Sequence, residues 1–174
     1  MRAISLLFVA GLVGLAACPG KANPNSALLS PEANDRFLAD NAKKGGVISL
    51  PGIQYEVLQR GTGAQPTKRD CVTVNYKGSL IDGKVFDKTE PGKPAVFPAG
   101  RLIAGWVEAL QMMHEGDKWR LVIPSGLAYG KERAGSGLIP PNQTLVFEVE
   151  LLKVSAPQNG VCGWPLGSWG GWSP

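Results

Sequence analysis

The sequence predicts a single α+β domain in which antiparallel strands pack against one short helix. Three observations carry that expectation. Val72, Val74 and Tyr76 alternate with Thr73, Asn75 and Lys77, the period-two pattern of a half-buried strand. Trp119, Leu121 and Ile123 repeat the pattern, as do Leu145, Phe147, Val149 and Leu151, with Glu148 and Glu150 facing the other way. Between these sets, Leu102, Ile103, Trp106, Leu110 and Met113 recur at three- and four-residue steps, an apolar stripe that a helix from Leu102 to Met113 would turn toward a sheet face.

Composition agrees with one folded unit. A chain of 174 residues that is 44% apolar and 18% charged, with a net charge of +4, can bury enough surface to offset its ordering entropy. Disorder throughout and a polytopic membrane protein are both excluded. The 23 glycines and 14 prolines cut the chain into short elements and argue against a helical bundle. Basic and acidic residues are interspersed, with no basic run longer than Lys68-Arg69 between Ile53 and Val154, so no clustered footprint for nucleic acid exists.

The ends read differently from the middle. Met1-Arg2 followed by the apolar run Ile4 to Ala17 is too short for a comfortable bilayer span and reads as a signal peptide over residues 1–17. It ends in Leu15-Ala16-Ala17-Cys18, which resembles the lipobox of bacterial lipoproteins. Lipid on Cys18 would tether a soluble domain to a membrane without spanning it; an ordinary signal with an accidental cysteine is the alternative. Pro19, in place of Asp, favours the outer membrane by the same resemblance. Ala22 to Ala27 is a polar tether. Ser30-Pro31-Glu32-Ala33 supplies an N-cap, a proline at the first helical position and an acidic first turn for a short linker helix ending near Lys44.

Residues 18–52 thus form tether and linker helix, 53–154 the folded domain and 155–174 a tail. Asp82-Gly83 marks a hairpin turn within the domain. The tail holds five glycines, three prolines and three of the five tryptophans without periodicity, so no stable packing is expected there. Trp164, Trp169 and Trp172 could alternatively touch glycan or a membrane interface. Export would allow Cys71 and Cys162 to pair, with a buried free Cys71 as the default.

Most chemistries lack parts. His114 beside Glu115 has no second histidine four residues on, so it reads as a surface residue at a helix end, and no metal site is expected. No nucleophile elbow and no phosphate-binding loop is present. Asp82 and Asp87 read as turn and strand-end groups rather than paired catalytic carboxylates. What remains is a set of rings from different elements: Tyr76, Phe86, Phe97, Trp106, Tyr129 and Phe147. Each alone reads equally well as core.

Their order is more informative. Tyr76-Lys77-Gly78, Asp82-Gly83-Lys84-Val85-Phe86-Asp87, Ile103-Ala104-Gly105-Trp106, Ala128-Tyr129-Gly130, Ile139-Pro140-Pro141-Asn142 and the run Leu145 to Leu152 resemble the FKBP-type peptidyl-prolyl isomerases, in the family's order. The segment Phe37 to Leu58, with Asn41-Ala42-Lys43-Lys44 and Leu50-Pro51-Gly52-Ile53-Gln54-Tyr55, further resembles the exported Mip-like branch. This resemblance implies a five- or six-stranded antiparallel sheet curled around the short helix, with a pocket between them. It implies that Trp106 floors the pocket, that Tyr76, Phe86, Leu102, Ile103 and Phe147 wall it, and that Phe97 stands at its edge. Tyr129 would donate its hydroxyl to one substrate carbonyl and the Ile103 N–H would hold another. Asp87 would orient polar groups at the rim, and Leu138 and Ile139 would belong to a flap.

The implied activity is isomerisation of X-Pro bonds, without cofactor, in unfolded or nascent exported polypeptides. A macrolide inhibitor would occupy the same pocket. The implied setting is the periplasmic side of the bacterial envelope, with the lipid of Cys18 in the outer membrane. A monomer is expected, because the long amino-terminal dimerisation helices of the Mip-like branch are missing. Ala95 stands where many members carry an aromatic, the flap from Lys131 to Gly137 lacks a histidine, and the loop from Lys88 to Lys93 lacks an arginine. The competing expectation is a holdase that grips unfolded segments in the same cavity without catalysis.

Overall fold

The structure is a computed structural model that describes residues 27–158 and 160–162. The expected signal peptide, Cys18, most of the tether and the three tail tryptophans lie outside these residues. In chain order the elements are α1 (Pro31–Asn41), β1 (Val47–Ser49), β2 (Gln54–Gln59), β3 (Cys71–Leu80), β4 (Val85–Lys88), β5 (Ala95–Pro98), α2 (Ala104–Leu110), β6 (Lys118–Ile123) and β7 (Leu145–Ser155). Short 3-10 turns follow at Ala99–Arg101, Ser125–Leu127 and Gly135–Gly137.

Every strand pairing is antiparallel, in the order β1-β2-β6-β7-β3-β4. β3 is the spine. One edge pairs with β7 from Cys71↔Ser155 to Leu80↔Leu145, and the other is shared end to end by β5, at Cys71 to Val74, and β4, at Lys77 to Ser79. The seven strands therefore make a sheet six strands wide, in agreement with the expected antiparallel architecture. The Asp82-Gly83 turn joins β3 to β4, with Gly83 at φ +87° and Asp82 accepting from Lys84 N at 2.9 Å.

Alternation decides which face is buried. Val72, Val74, Leu121, Ile123, Leu145, Phe147, Val149 and Leu151 form the core with Trp106, Ala109, Leu110 and Met113. Gly105 lets α2 approach the sheet, since a Cβ there would meet Ile123 Cγ2 at 2.5 Å. The helix is shorter than its apolar stripe. Leu102 and Ile103 precede it in extended conformation, and Met113 follows it but stays buried.

Three expectations at the domain's edges are corrected. First, α1 is capped as expected, by Ser30 Oγ accepting from Ala33 N at 3.2 Å, yet it ends at Asn41 and is no free linker. Its buried residues are Asn34 and Asn41, which hold it to the domain through amide hydrogen bonds. Second, the sheet begins before Ile53, because β1 pairs with β2. Third, Cys71 is buried but not free. It forms a disulfide with Cys162, with Cα atoms 5.3 Å apart across 91 positions of sequence. The chain after Val154 is consequently tied to the domain at Cys162, with β7 running to Ser155, a bridge between Gln158 and Val161, and the described residues between Ser155 and Cys162 exposed.

Candidate active site

Trp106, at the first turn of α2, stands at the centre of the rings. Its indole meets Tyr76 of β3 at 5.5 Å and 87°, Phe147 of β7 at 5.4 Å and 89°, and Phe97 of β5 at 6.3 Å and 86°. Edge-to-face packing of this kind contributes about 0.5–1.5 kcal/mol per pair beyond area burial and fixes ring orientation. Phe86 of β4 continues the cluster by standing edge-on to Phe147 at 5.6 Å. Gly78 makes room for both, because a Cβ there would lie 2.7 Å from each ring. A glycine inside a strand is a sequence signal for such close approach. The ring-based reading of the sequence passed over it.

Polar groups are placed beside the rings. The Tyr76 hydroxyl donates to Asp87 Oδ2 at 2.6 Å, and Lys88 N donates to Asp87 Oδ1 at 2.8 Å. Tyr76 is itself pinned by Thr89, with Tyr76 N donating to Thr89 Oγ1 and Thr89 N to Tyr76 O, both at 3.0 Å. Thr89 is a second residue that sequence reasoning missed. Burial, with the Asp87 hydrogen bond and charge added, raises the Tyr76 phenol far above its ordinary value. Burial also raises Tyr129, helped by the charge of Asp87. Both phenols therefore stay protonated at neutral pH, and the proton of Tyr76 is the one it donates to Asp87.

Between β4 and the flap lies a cavity of about 220 Å³, lined by Phe86, Asp87, Tyr129, Gly135, Ser136, Leu138 and Ile139. Five of the expected site residues thus line one cavity. Trp106, at 2% exposure, lies in the ring cluster that Phe86 and Asp87 join to the cavity, rather than on the cavity's open lining. Leu102 and Ile103 are half-buried against the core, and Ile103 caps α2, its carbonyl accepting from Trp106 N at 2.9 Å. Gly135 and Ser136, which the sequence placed in the flap without a role of their own, also line the cavity. With Gly137 they form three successive positive-φ positions, +56°, +53° and +88°, which glycine adopts without strain at the two outer places.

The larger hollow, about 270 Å³, is on the opposite sheet face beside Phe37, Lys77, Arg120 and Glu148. Lys77 and Glu148 pair across it at 3.5 Å, and it has neither a ring box nor a placed phenol. The smaller cavity is the better site on chemical grounds. His114 is half-exposed, its Nδ1 3.9 Å from Asp117 Oδ2, and lies in the turn between α2 and β6 rather than at the helix end. Among the described residues no three His, Cys, Asp or Glu side chains converge as a metal site would require. A cavity of this size walled by Phe86, Leu138 and Ile139, with the Tyr129 phenol and Asp87 on its lining, suits non-covalent handling of a neutral, ring-sized group.

Comparison with known proteins agrees with this geometry. Residues 62–152 match the family model of the FKBP-type peptidyl-prolyl cis-trans isomerases. The chain is 51% identical over 122 residues to the outer membrane protein MIP of Legionella longbeachae, covering 69% of this chain and 52% of that protein. It is 52% identical over 121 residues to the FKBP-type 22 kDa peptidyl-prolyl cis-trans isomerase of Escherichia coli, covering 68% of this chain and 58% of that one. The chain thus spans little more than half the length of these relatives. The crystal structure of a peptidyl-prolyl cis-trans isomerase from Pseudomonas syringae superposes with a TM-score of 0.67 at 45% identity, covering 78% of this chain and 99% of that one. With half the chain inside the family model, the ring cluster and cavity have their explanation: this chain belongs to the FKBP-type peptidyl-prolyl cis-trans isomerase family.

Proposed function

We propose that this chain is a peptidyl-prolyl cis-trans isomerase acting on proline-containing exported polypeptides in the bacterial cell envelope. The observation that carries the reading is the union of an edge-to-face ring cluster around Trp106 with a cavity whose wall holds Tyr129 and Asp87. Rotation about a peptide bond costs about 18–20 kcal/mol because resonance is lost. The planar imide is more dipolar than the twisted one, so an apolar cavity solvates the ground state poorly and the rotated state comparatively well. Tyr129 donates its hydroxyl to one substrate carbonyl and the Ile103 N–H to another. Hydrogen bonds fitted to the twisted geometry add selectivity, and each factor of ten needs only about 1.4 kcal/mol.

In this reading Asp87 fixes Tyr76 and the polar rim, and the rings of Tyr76, Phe86, Trp106 and Phe147 shape the apolar box. Phe97 borders it, Leu102 backs the entrance to α2, and Leu138 and Ile139 cover the substrate. A macrolide inhibitor competes for the same cavity, with the wall at Ala95 lower than an aromatic would make it. The disulfide supports an oxidising compartment. The envelope setting is also supported by the name of the Legionella relative. Acylation of Cys18 would hold the domain at the outer membrane as a monomer on a tether.

The test is a proline-limited refolding assay with an X-Pro tetrapeptide series. Acceleration that saturates with substrate is the expected result. Peptide binding without acceleration would replace the isomerase by a holdase.

A further inference from the structure

The flap that covers the cavity is a closed loop with a stiff exit. Ala134 and Ile139 bridge it, with Ala134 N to Ile139 O at 3.2 Å and Ile139 N to Ala134 O at 3.1 Å. The chain then passes through Pro140-Pro141, whose rings fix φ and allow little bending, to Asn142, Gln143, Thr144 and the start of β7. Whatever holds Gln143 and Thr144 therefore bears on where Leu138 and Ile139 stand, together with the Ala134–Ile139 bridge.

What holds them is α1. Asn34 Oδ1 accepts from Thr144 N at 2.7 Å, and Asn34 Nδ2 donates to Ser30 O at 2.9 Å and to Gln143 Oε1 at 3.4 Å. Gln143 Nε2 donates to Leu29 O at 3.1 Å and to Pro141 O at 3.0 Å. Asn34, Gln143 and Thr144 are buried, at 4%, 5% and 2% exposure, and the partners of the two side-chain amides are each other, the Thr144 N–H and the carbonyls of Leu29, Ser30 and Pro141. A buried amide left unpaired is costly, and the cluster therefore acts as one unit rather than as separate contacts. Asn142 N completes it from the other side by donating to Gly130 O, next to Tyr129, at 2.6 Å.

We propose that Asn34 is a positioning residue for isomerisation: by holding Thr144 and Gln143 it places Leu138 and Ile139, through the rigid Pro140-Pro141 exit, over the cavity. The inference rests on the reading above that this cavity takes the prolyl group. It gives α1, the element that joins the domain to its amino-terminal segment, a part in shaping the site without touching substrate.

Asn41 supplies the control. It anchors the same helix, donating to Gln54 Oε1 at 2.8 Å and accepting from Arg120 at 2.9 Å, and these bonds lead to β2 and β6 rather than to the flap exit. In the full chain, Asn34→Ala should raise KM for X-Pro tetrapeptides about threefold to tenfold with kcat little changed, the pattern of lost uniform binding. Asn41→Ala should lower the melting midpoint comparably and leave KM within about twofold. Amide hydrogen exchange should quicken at Ile139 and Asn142 in the first variant alone. Equal KM effects in both variants, or a destabilised Asn34→Ala with unchanged KM and unchanged exchange, would overturn the proposal. If Asn34→Ala does not fold, Gln143→Ala cuts the same cluster and is read in the same way. The exchange measurement needs no activity, so failure of the positioning role is distinguishable from failure of the isomerase reading.

Discussion

The two faces of the sheet are held by opposite chemistry. On one, α2 presses Trp106, Ala109 and Leu110 onto Tyr76, Phe97 and Phe147, and contact is apolar throughout. On the other, alternation along β3, β6 and β7 presents Lys77, Arg120 and Glu148, and α1 reaches this side through Phe37 and the amide side chains of Asn34 and Asn41. Apolar packing is non-directional and tolerates small shifts, which lets rings from four elements meet. Amide pairs are directional and tie particular backbone atoms together. The difference teaches that the ring face builds the cavity, while the amide face fixes how the loop over it is set.

The comparison can be broken most severely at Trp106. Trp106→Ala should cost about 3–5 kcal/mol, because a large buried side chain is lost and the ring box collapses. Thermal melting and peptide affinity both report it, and a small loss in both would show that the ring face is not the principal anchor. Next in size is the disulfide, which closes a loop of 91 positions. Reduction or Cys71→Ser with Cys162→Ser should cost about 2–5 kcal/mol, chiefly by freeing the unfolded chain. Since the bond joins the far end of β3 from the cavity, kcat/KM should stay within about twofold below the new melting point.

A finer test separates packing from chemistry on the ring face itself. Tyr129→Phe keeps the ring and removes the hydroxyl, so turnover should fall up to about tenfold with the melting midpoint nearly unchanged. Unaltered turnover would remove the hydroxyl from the mechanism. The smallest effect is alkaline. Tyr76 and Tyr129 are held protonated above their ordinary value of 10.0, so the stability they contribute is complete below that pH and is lost as pH rises past it, when the unfolded phenols ionise first. The melting midpoint should fall above about pH 10, and by less in Tyr129→Phe than in the parent chain.

Legibility followed the same division. Val72, Val74, Leu121, Phe147 and their neighbours announce the strands because burial on one face forces a period of two. Trp106 and Leu110 announce α2 in the same way. Asn34 and Asn41 announced nothing, since asparagine on a helix normally faces water and only a partner brought from over a hundred residues away, Thr144, gives Asn34 its reason to be buried. Cys71 read as a free thiol for the same cause, because pairing with Cys162 depends on a distance that sequence does not carry. At the cavity, Phe86, Asp87, Tyr129, Leu138 and Ile139 were legible through the order of motifs, whereas Gly135, Ser136 and Thr89 depended on backbone geometry.

By itself the sequence determined the antiparallel sheet, the single buried helix and the ring inventory, because each follows from local periodicity and side-chain solubility. Tertiary structure alone decided that α1 is part of the domain, that the carboxyl-terminal segment is pinned to β3, and that the flap exit rests on Asn34. These depend on directional bonds between residues distant in the chain. Such bonds have no period to read, and they form only once the apolar core has brought their partners within reach.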